Sequence, residues 1–307
     1  MPKHLSAQAA AQLSMGTMAN PPWPALDDLD GWKALISAMD KQGLAGLTMM
    51  SQHIKASVKE IDAGGTRVFE ITPEIVSEAD NSIYFELHGG ALLWGGGESC
   101  LAMGKISAEM LGARVWAVDY RMPPSHPFPA PLDDCIAAYR YLLTQNDAAN
   151  VIIGGPSAGG NLAAATVLRA RDEGLAMPAA CVLMTPEVDL TEDGDTFRTL
   201  LGIDTALTSS LMPANLLYAG GHDLADPYVS PVFGDFSKGF PPTFLQSGTR
   251  DVFLSNTVRM HRALRQAKVE ADLHVFDAAT HVMFMNGPEA DDRTRELRAF
   301  VNRHWKR

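Results

Sequence analysis

The sequence predicts an α/β protein with a mainly parallel sheet covered by helices on both faces. Three observations predict it. From about residue 57 onward, short apolar runs alternate with longer stretches of helical character. One run, Val151-Ile152-Ile153, meets a glycine pair and Ser157, then passes into Asn161-Leu162-Ala163-Ala164-Ala165: strand, sharp turn, helix. The first two runs flank Gly64-Gly65 and read as a hairpin, which supplies an antiparallel edge.

Residues 1–55 carry helical character and no strand signal. Pro21-Pro22-Trp23-Pro24 breaks this stretch, and Asp30 is placed to cap Trp32 to Met39. An arm bearing methionine and tryptophan ahead of a sheet suits a mobile lid over an apolar pocket, or simply a packed helical arm. The hairpin strands are Val58–Ile61 and Arg67–Ile71, followed by a strand at Ser82–Leu87. Ser99 can cap a helix running through Leu111; Arg114–Asp119 is the next strand. A proline-rich loop, 123–131, leads into a helix over Leu132–Leu143. The strand at 151–155 and its helix, to about Glu173, precede a strand at Ala180–Thr185.

The alternation stops at 188–222, where Asp, Gly and Thr cluster around short helical pieces such as Leu211–Tyr218. This stretch is expected to be an inserted second lid segment. Strand Thr243–Gln246, helix Leu254–Ala267, strand Asp272–Phe276 and helix Glu289–His304 complete the chain. The expected organisation is therefore an N-terminal helical cap arm (1–55), a catalytic core (56–187 and 223–307) and an inserted cap segment (188–222).

Gly155-Pro156-Ser157-Ala158-Gly159 fits the nucleophile elbow of α/β-hydrolases. The serine must sit in a strained turn with its hydroxyl clear of the sheet, and the glycines let neighbouring elements approach. In parallel sheets function collects at the carboxyl ends of strands. There, His88-Gly89-Gly90, Gly248-Thr249-Arg250-Asp251 and Thr280-His281-Val282 each follow a predicted strand. The candidate roles follow from chemistry. Ser157 is the nucleophile, His281 takes and returns its proton, and Asp251 fixes the imidazole tautomer. Backbone N–H groups of Gly89, Gly90 and Ala158 are candidates for an oxyanion hole, where one donor is typically worth about 10²–10³ in rate. Each residue has a plainer reading: a surface histidine, a helix-capping aspartate, a glycine turn. All of these would have to hold together, in the right chain order and at the right strand ends. Trp94 and Met283, beside the oxyanion loop and His281, are candidate pocket-lining residues.

Composition narrows the partners. The 307 residues carry 25 Lys and Arg against 36 Asp and Glu, a net charge of −11. This argues against nucleic acid and against anionic membrane surfaces. Cys100, Cys135 and Cys181 are odd in number and widely spaced, and read as reduced thiols. No apolar run reaches membrane-spanning length, and the N-terminus lacks a continuous apolar signal region. A cytoplasmic location is expected.

Longer motifs carry a family resemblance. His88-Gly89-Gly90, the run from Asp119 to Ala130, Gly155 to Asn161, Thr185 to Thr191, Asp226 to Pro231 and Gly248 to Asp251 resemble the bacterial hormone-sensitive-lipase-like esterases. The similarity spans about residues 55–307. It implies an α/β-hydrolase fold with a helical cap, and carboxylester hydrolysis without metal or cofactor. Ser157, Asp251 and His281 match the family triad; Gly89, Gly90 and Ala158 match its oxyanion hole. Asp119, Arg121, His126 and Asp133 resemble residues that tie the loop after the 114–119 strand. The resemblance also implies pairing of two copies through the last strand, a homodimer. Two positions depart from the pattern. Ala91 stands where a third glycine is usual. Pro156 stands where Asp or Thr is usual, which puts in question the support of the acid-bearing loop. The expected substrate is a small molecule, a short- to medium-chain acyl ester; a lactone would use the same residues. A non-catalytic ligand-binding protein and a peptidase are the other readings. The first normally lacks a triad member, and no peptide-gripping domain is visible for the second.

Overall fold

The computed structural model describes residues 2–17, 21–77 and 79–306. Residues 1 and 18–20 of the N-terminal arm, and 78 and 307 of the core, lie outside the described residues.

The chain opens with α1 (Ala7–Ser14) and α2 (Leu29–Ser51). The strands are β1 (Ala56–Asp62), β2 (Arg67–Pro73), β3 (Ile83–Leu87), β4 (Arg114–Asp119), β5 (Val151–Pro156), β6 (Ala180–Met184), β7 (Thr243–Gly248) and β8 (Ala271–Phe276). Between and after them come α3 (Glu98–Leu111), α4 (Ala130–Leu143), α5 (Ala158–Asp172), α6 (Thr196–Thr199), α7 (Met212–Ala219), α8 (Leu254–Gln266) and α9 (Pro288–His304). The strands form one sheet in the order β1-β2-β4-β3-β5-β6-β7-β8. The β1–β2 and β2–β4 pairs are antiparallel, and every other pair is parallel.

Strand alternation sorts side chains between two cores. Ile83, Phe85 and Leu87 of β3 face a core shared with Leu132 and Tyr139 of α4, Leu162 of α5 and Met260 of α8. Tyr84, between them, faces the opposite core with Leu111 of α3 and Phe300 and Val301 of α9. Both faces are thus covered, as the apolar character of the central strands requires. All three cysteines are buried and free. Glu86 is the exception to an apolar strand. It is buried and bonded to Ser107 Oγ at 2.5 Å, and burial pushes its carboxyl up to about 7.

The helical arm differs from expectation in its cap and its length. Asp28, not Asp30, caps α2, its Oδ1 accepting Gly31 N–H at 2.9 Å. The helix continues past Met39 through Gly43 and Gly46 to Ser51. Packing against α3 and burial of Trp32 outweigh the glycine cost of about 1 kcal/mol per residue. Helix α3 likewise starts two residues early, with Gly97 at its N-cap instead of Ser99. The arm and the 188–222 segment touch: Trp23 Nε1 donates to Ser210 O at 2.9 Å. Among the described residues no helix is long and apolar enough to cross a membrane.

The topology positions the site. Strand β3 lies between β4 and β5, and the chain leaves β3 toward β4 but leaves β5 toward β6, on opposite sides. The loops after β3 and β5 therefore diverge at a switch point and leave a crevice at the carboxyl edge. Leu183, fully buried in β6, holds the centre of this sheet. Leu183→Ala is expected to lower unfolding free energy by about 2–5 kcal/mol in urea titration. A loss well under about 1 kcal/mol would mean that the centre is not closely packed.

Candidate active site

Ser157 sits at the crossing of β5 into α5 with φ 56° and ψ −123°, a left-handed conformation costly for a serine. The glycines on either side explain how the turn fits. A Cβ on Gly155 would lie 2.1 Å from Leu87 O, and one on Gly159 only 1.9 Å from the same oxygen. The elbow is thus pressed against the end of β3. Ser157 N–H donates to Met184 O at 2.8 Å, and Asn161 Nδ2 donates to Glu187 O at 2.8 Å and Val229 O at 2.9 Å. The motifs around 185–191 and 226–231 therefore converge as clamps on α5.

His281 Nε2 lies 2.9 Å from Ser157 Oγ, and its Nδ1 lies 3.1 Å from Asp251 Oδ1. The three predicted side chains meet in one hydrogen-bonded line. The ring of Phe253 packs edge-on against the imidazole at 4.8 Å between centroids. Asp251 is fully buried and accepts two further bonds, from Ser247 Oγ at 2.6 Å and Phe253 N–H at 2.9 Å. The loops bearing Asp251 and His281 are stitched together: Arg250 N–H donates to Ala279 O at 2.9 Å and Ala278 N–H to Thr249 Oγ1 at 2.7 Å.

Two supports escaped the sequence reading. Asp204, from the 188–222 segment, is fully buried. Its Oδ2 accepts Val252 N–H at 3.0 Å and His281 N–H at 3.2 Å, tying the segment to both loops. Glu187 is buried nearby, and burial pushes its carboxyl up to about 8, so it holds its proton at neutral pH. An aspartate in a stretch rich in Asp, Gly and Thr reads as a turn residue, and only the fold shows what Asp204 faces. Pro156, which carries no N–H, leaves the acid loop held by Ser247, Phe253 and Asp204.

Burial pushes the His281 imidazole down, but the bond to Asp251 and the charges of Asp251 and Asp204 outweigh it. The net shift is upward from the ordinary 6.5. A base set above that value takes a proton readily and stabilises an imidazolium once formed.

The loop at 88–97 forms the opposite wall. His88 is buried, stacks on Tyr120 at 4.0 Å, and its Nδ1 donates to Gly89 O at 2.9 Å. Burial pushes His88 down to about 4, so it is neutral and structural here. Asp119 accepts Gly97 N–H at 2.8 Å and pairs with Arg67, Arg121 pairs with Asp134 at 2.7 Å, and Asp133 pairs with Arg169 at 2.5 Å. His88, Cys100 and Asp119 bring ligand-type atoms within 4.8 Å of one another. Their chemistry suits a hydrogen-bonded pier better than a metal. Asp119 is already committed to Arg67 and Gly97, and burial pushes the Cys100 thiol well above its ordinary value.

A cavity of about 340 Å³ opens on Ser157 and His281. Gly89, Gly90 and Trp94 line it, with α2 and the 188–222 segment supplying much of the remaining wall. Ala158 begins α5 directly behind the serine. Met283, expected in this wall, packs instead with Ala9, Ala278, Ala279 and Phe284, while Val282 faces the cavity. A left-handed turn at Met283, φ 56°, puts it on the side of α1, where its carbonyl accepts Gln12 Nε2 at 2.6 Å.

Comparison with known proteins bears on the fold and the family. Residues 84–285 match the alpha/beta hydrolase fold family. An acetyl-hydrolase of Streptomyces hygroscopicus is 35% identical over 212 residues, which is 68% of this chain and 67% of that one. An esterase of Acinetobacter venetianus is 30% identical over 231 residues, 74% of this chain and 75% of its own. Among solved structures, an esterase designated E25 superposes with a TM-score of 0.90 at 35% identity, covering 99% of this chain and 96% of that one. An esterase of the bacterial hormone-sensitive lipase family gives 0.82 at 28% identity, covering 99% of each.

Removing Asp204 tests the clamp. Asp204→Ala leaves the buried N–H groups of Val252 and His281 without their acceptor, at about 1–3 kcal/mol for each. A lower urea midpoint and slower fluorophosphonate labelling of Ser157 are expected together. Unchanged values for both would show that the two loops do not depend on this carboxylate.

Proposed function

This chain belongs to the bacterial hormone-sensitive-lipase-like esterases of the alpha/beta-hydrolase fold and is a carboxylic ester hydrolase; we propose that it works through an acyl-enzyme on Ser157. The observation that carries this reading is the line from Ser157 Oγ through His281 to Asp251, with contacts of 2.9 and 3.1 Å.

In this mechanism neutral His281 carries its proton on Nδ1, donated to Asp251, and Nε2 accepts the serine proton. Ser157 Oγ attacks the ester carbonyl. The oxyanion receives backbone N–H groups of Gly89, Gly90 and Ala158, supported by the positive end of α5. Collapse expels the alcohol, protonated by His281. The same imidazole then removes a proton from water, and hydroxide attack releases the acid. No step requires a metal or an organic cofactor.

The arm at 1–55 and the segment at 188–222 act as the cap, since Trp23, Leu35, Ala206, Leu207 and Leu211 all face the cavity with Ser157. A cavity of about 340 Å³ with such walls suits short- to medium-chain acyl esters. The acetyl-hydrolase among the relatives supports the short end of that range. Strand β8 ends the sheet, where pairing with a second copy would continue it; this supports a homodimer.

Turnover of p-nitrophenyl esters by wild type is expected to fall by about 10⁴-fold or more in Ser157→Ala. An inert wild type, an equally active variant, or a phosphonate adduct on another serine would refute the proposal.

The pH profile gives an independent check. Activity needs neutral His281, and its raised pKa means that kcat/KM climbs with pH through a midpoint above 6.5. Asp251→Asn removes the main raising influence. It should move that midpoint down and lower kcat by about 10⁴-fold. A midpoint that stays in place would mean that another group titrates.

A further inference from the structure

The wall of the cavity over Ser157 is apolar for most of its extent, with one discordant group. Asp40, on α2, lines this wall together with Trp94, Met39 and Leu35. Its Oδ1 accepts Gly95 N–H at 2.8 Å, linking α2 to the oxyanion loop. Its Oδ2 has no hydrogen-bond or ion-pair partner among the described residues. No lysine or arginine among them lines the cavity.

A tether to one N–H does not need a charge, because an asparagine oxygen would accept the same bond. An ionisable acid half-withdrawn from water carries a desolvation cost that a neutral asparagine would not. Burial pushes Asp40 up from its ordinary value, and the charge of Asp119 adds to this after the Gly95 bond opposes it. A cation brought into the cavity would relieve that cost. Two indole rings border the space it would enter. Trp23 stacks on Trp94 at 6.4 Å and on Trp32 at 5.6 Å between centroids, and Trp23 and Trp94 both line the cavity. A carboxylate beside indole rings is the chemistry that recognises quaternary and other alkylated ammonium groups.

We propose that Asp40 is a specificity-determining residue, and that the cavity takes esters carrying a cationic nitrogen, held by the Asp40 carboxylate against the tryptophan wall. The proposal rests on the ester hydrolysis assigned above and names the substrate class within it.

The test compares cationic esters with neutral isosteres of the same shape. Butyrylcholine is set against 3,3-dimethylbutyl butyrate, and the ethyl ester of trimethylammoniobutyrate against ethyl 5,5-dimethylhexanoate, so that the charge sits in the alcohol or in the acyl half. In wild type, kcat/KM is expected to favour the cationic ester by about tenfold in at least one pair at low ionic strength, and less as salt is added. Asp40→Asn keeps an acceptor for Gly95, so the ratio should collapse toward one. A purely structural Asp40 would change both members of a pair alike. A ratio at or below one in both wild-type pairs, or a ratio that survives Asp40→Asn, overturns the proposal. If wild type hydrolyses the neutral esters without preference, this inference fails alone. If it hydrolyses no ester, the catalytic assignment fails, and choline titration followed by tryptophan fluorescence still decides: saturable quenching lost in Asp40→Asn supports the cation site, and its absence in wild type refutes it.

Discussion

The arrangement depends on one close approach: the elbow of β5 and α5 pressed against the end of β3. Side chains at Gly155 or Gly159 would bring a carbon within 2.1 or 1.9 Å of Leu87 O. Because no side chain intervenes, the loop that starts at His88 begins beside the serine. The oxyanion candidates Gly89 and Gly90 thus reach Ser157 from a strand that is not adjacent to it in sequence. Widening this contact would separate Ser157 from the candidate oxyanion donors while leaving each motif intact.

His281 and Asp251, the proposed base and acid, reach the same point by a second route. They follow β8 and β7, the two strands farthest along the sheet on the side of β6. Their loops must extend back over the edge toward β5. The bonds from Arg250 to Ala279 and from Ala278 to Thr249 make the two loops one unit. Asp204 then ties that unit to the segment that also walls the cavity. The same segment therefore shapes the pocket and braces the base, so changes in pocket shape and in catalytic geometry are physically coupled. The absent side-chain support at Pro156 is met by Ser247 from β7 itself, whose hydroxyl donates to Asp251 at 2.6 Å.

Legibility in the sequence followed locality. Strands whose side chains are buried on both faces announce themselves as apolar runs, and the glycine-flanked serine marks its own turn. The chemistry at strand ends was readable because loops after strands in a parallel sheet share one edge. What was not readable depended on packing between distant segments. Gly43 and Gly46 look like a helix end until α3 is present to hold α2 together. Met283 and Val282 are both apolar neighbours, and the turn with positive φ at Met283 sets which one faces the cavity. Asp204 and Asp40 look like ordinary polar residues of a turn and of a helix surface. Each gains its meaning from a backbone N–H that arrives from more than forty positions away: Val252 and His281 for one, Gly95 for the other.

The carboxylates around the site divide by what they face. Asp251 is saturated: serine, backbone and imidazole all donate to it. Asp204 is likewise spent on backbone N–H groups. Glu187 holds its proton and so adds little negative charge at neutral pH. Asp40 alone combines cavity exposure with a free oxygen. The first two act on the imidazole and its loops, and their field raises His281 without reaching for substrate. Asp40 is attached to the oxyanion loop, so a group bound to it would be registered against Gly89 and Gly90 through Gly95. Substrate recognition and oxyanion geometry would then share one hydrogen bond, which is a physical means for a remote part of an ester to favour the transition state over the bound ground state.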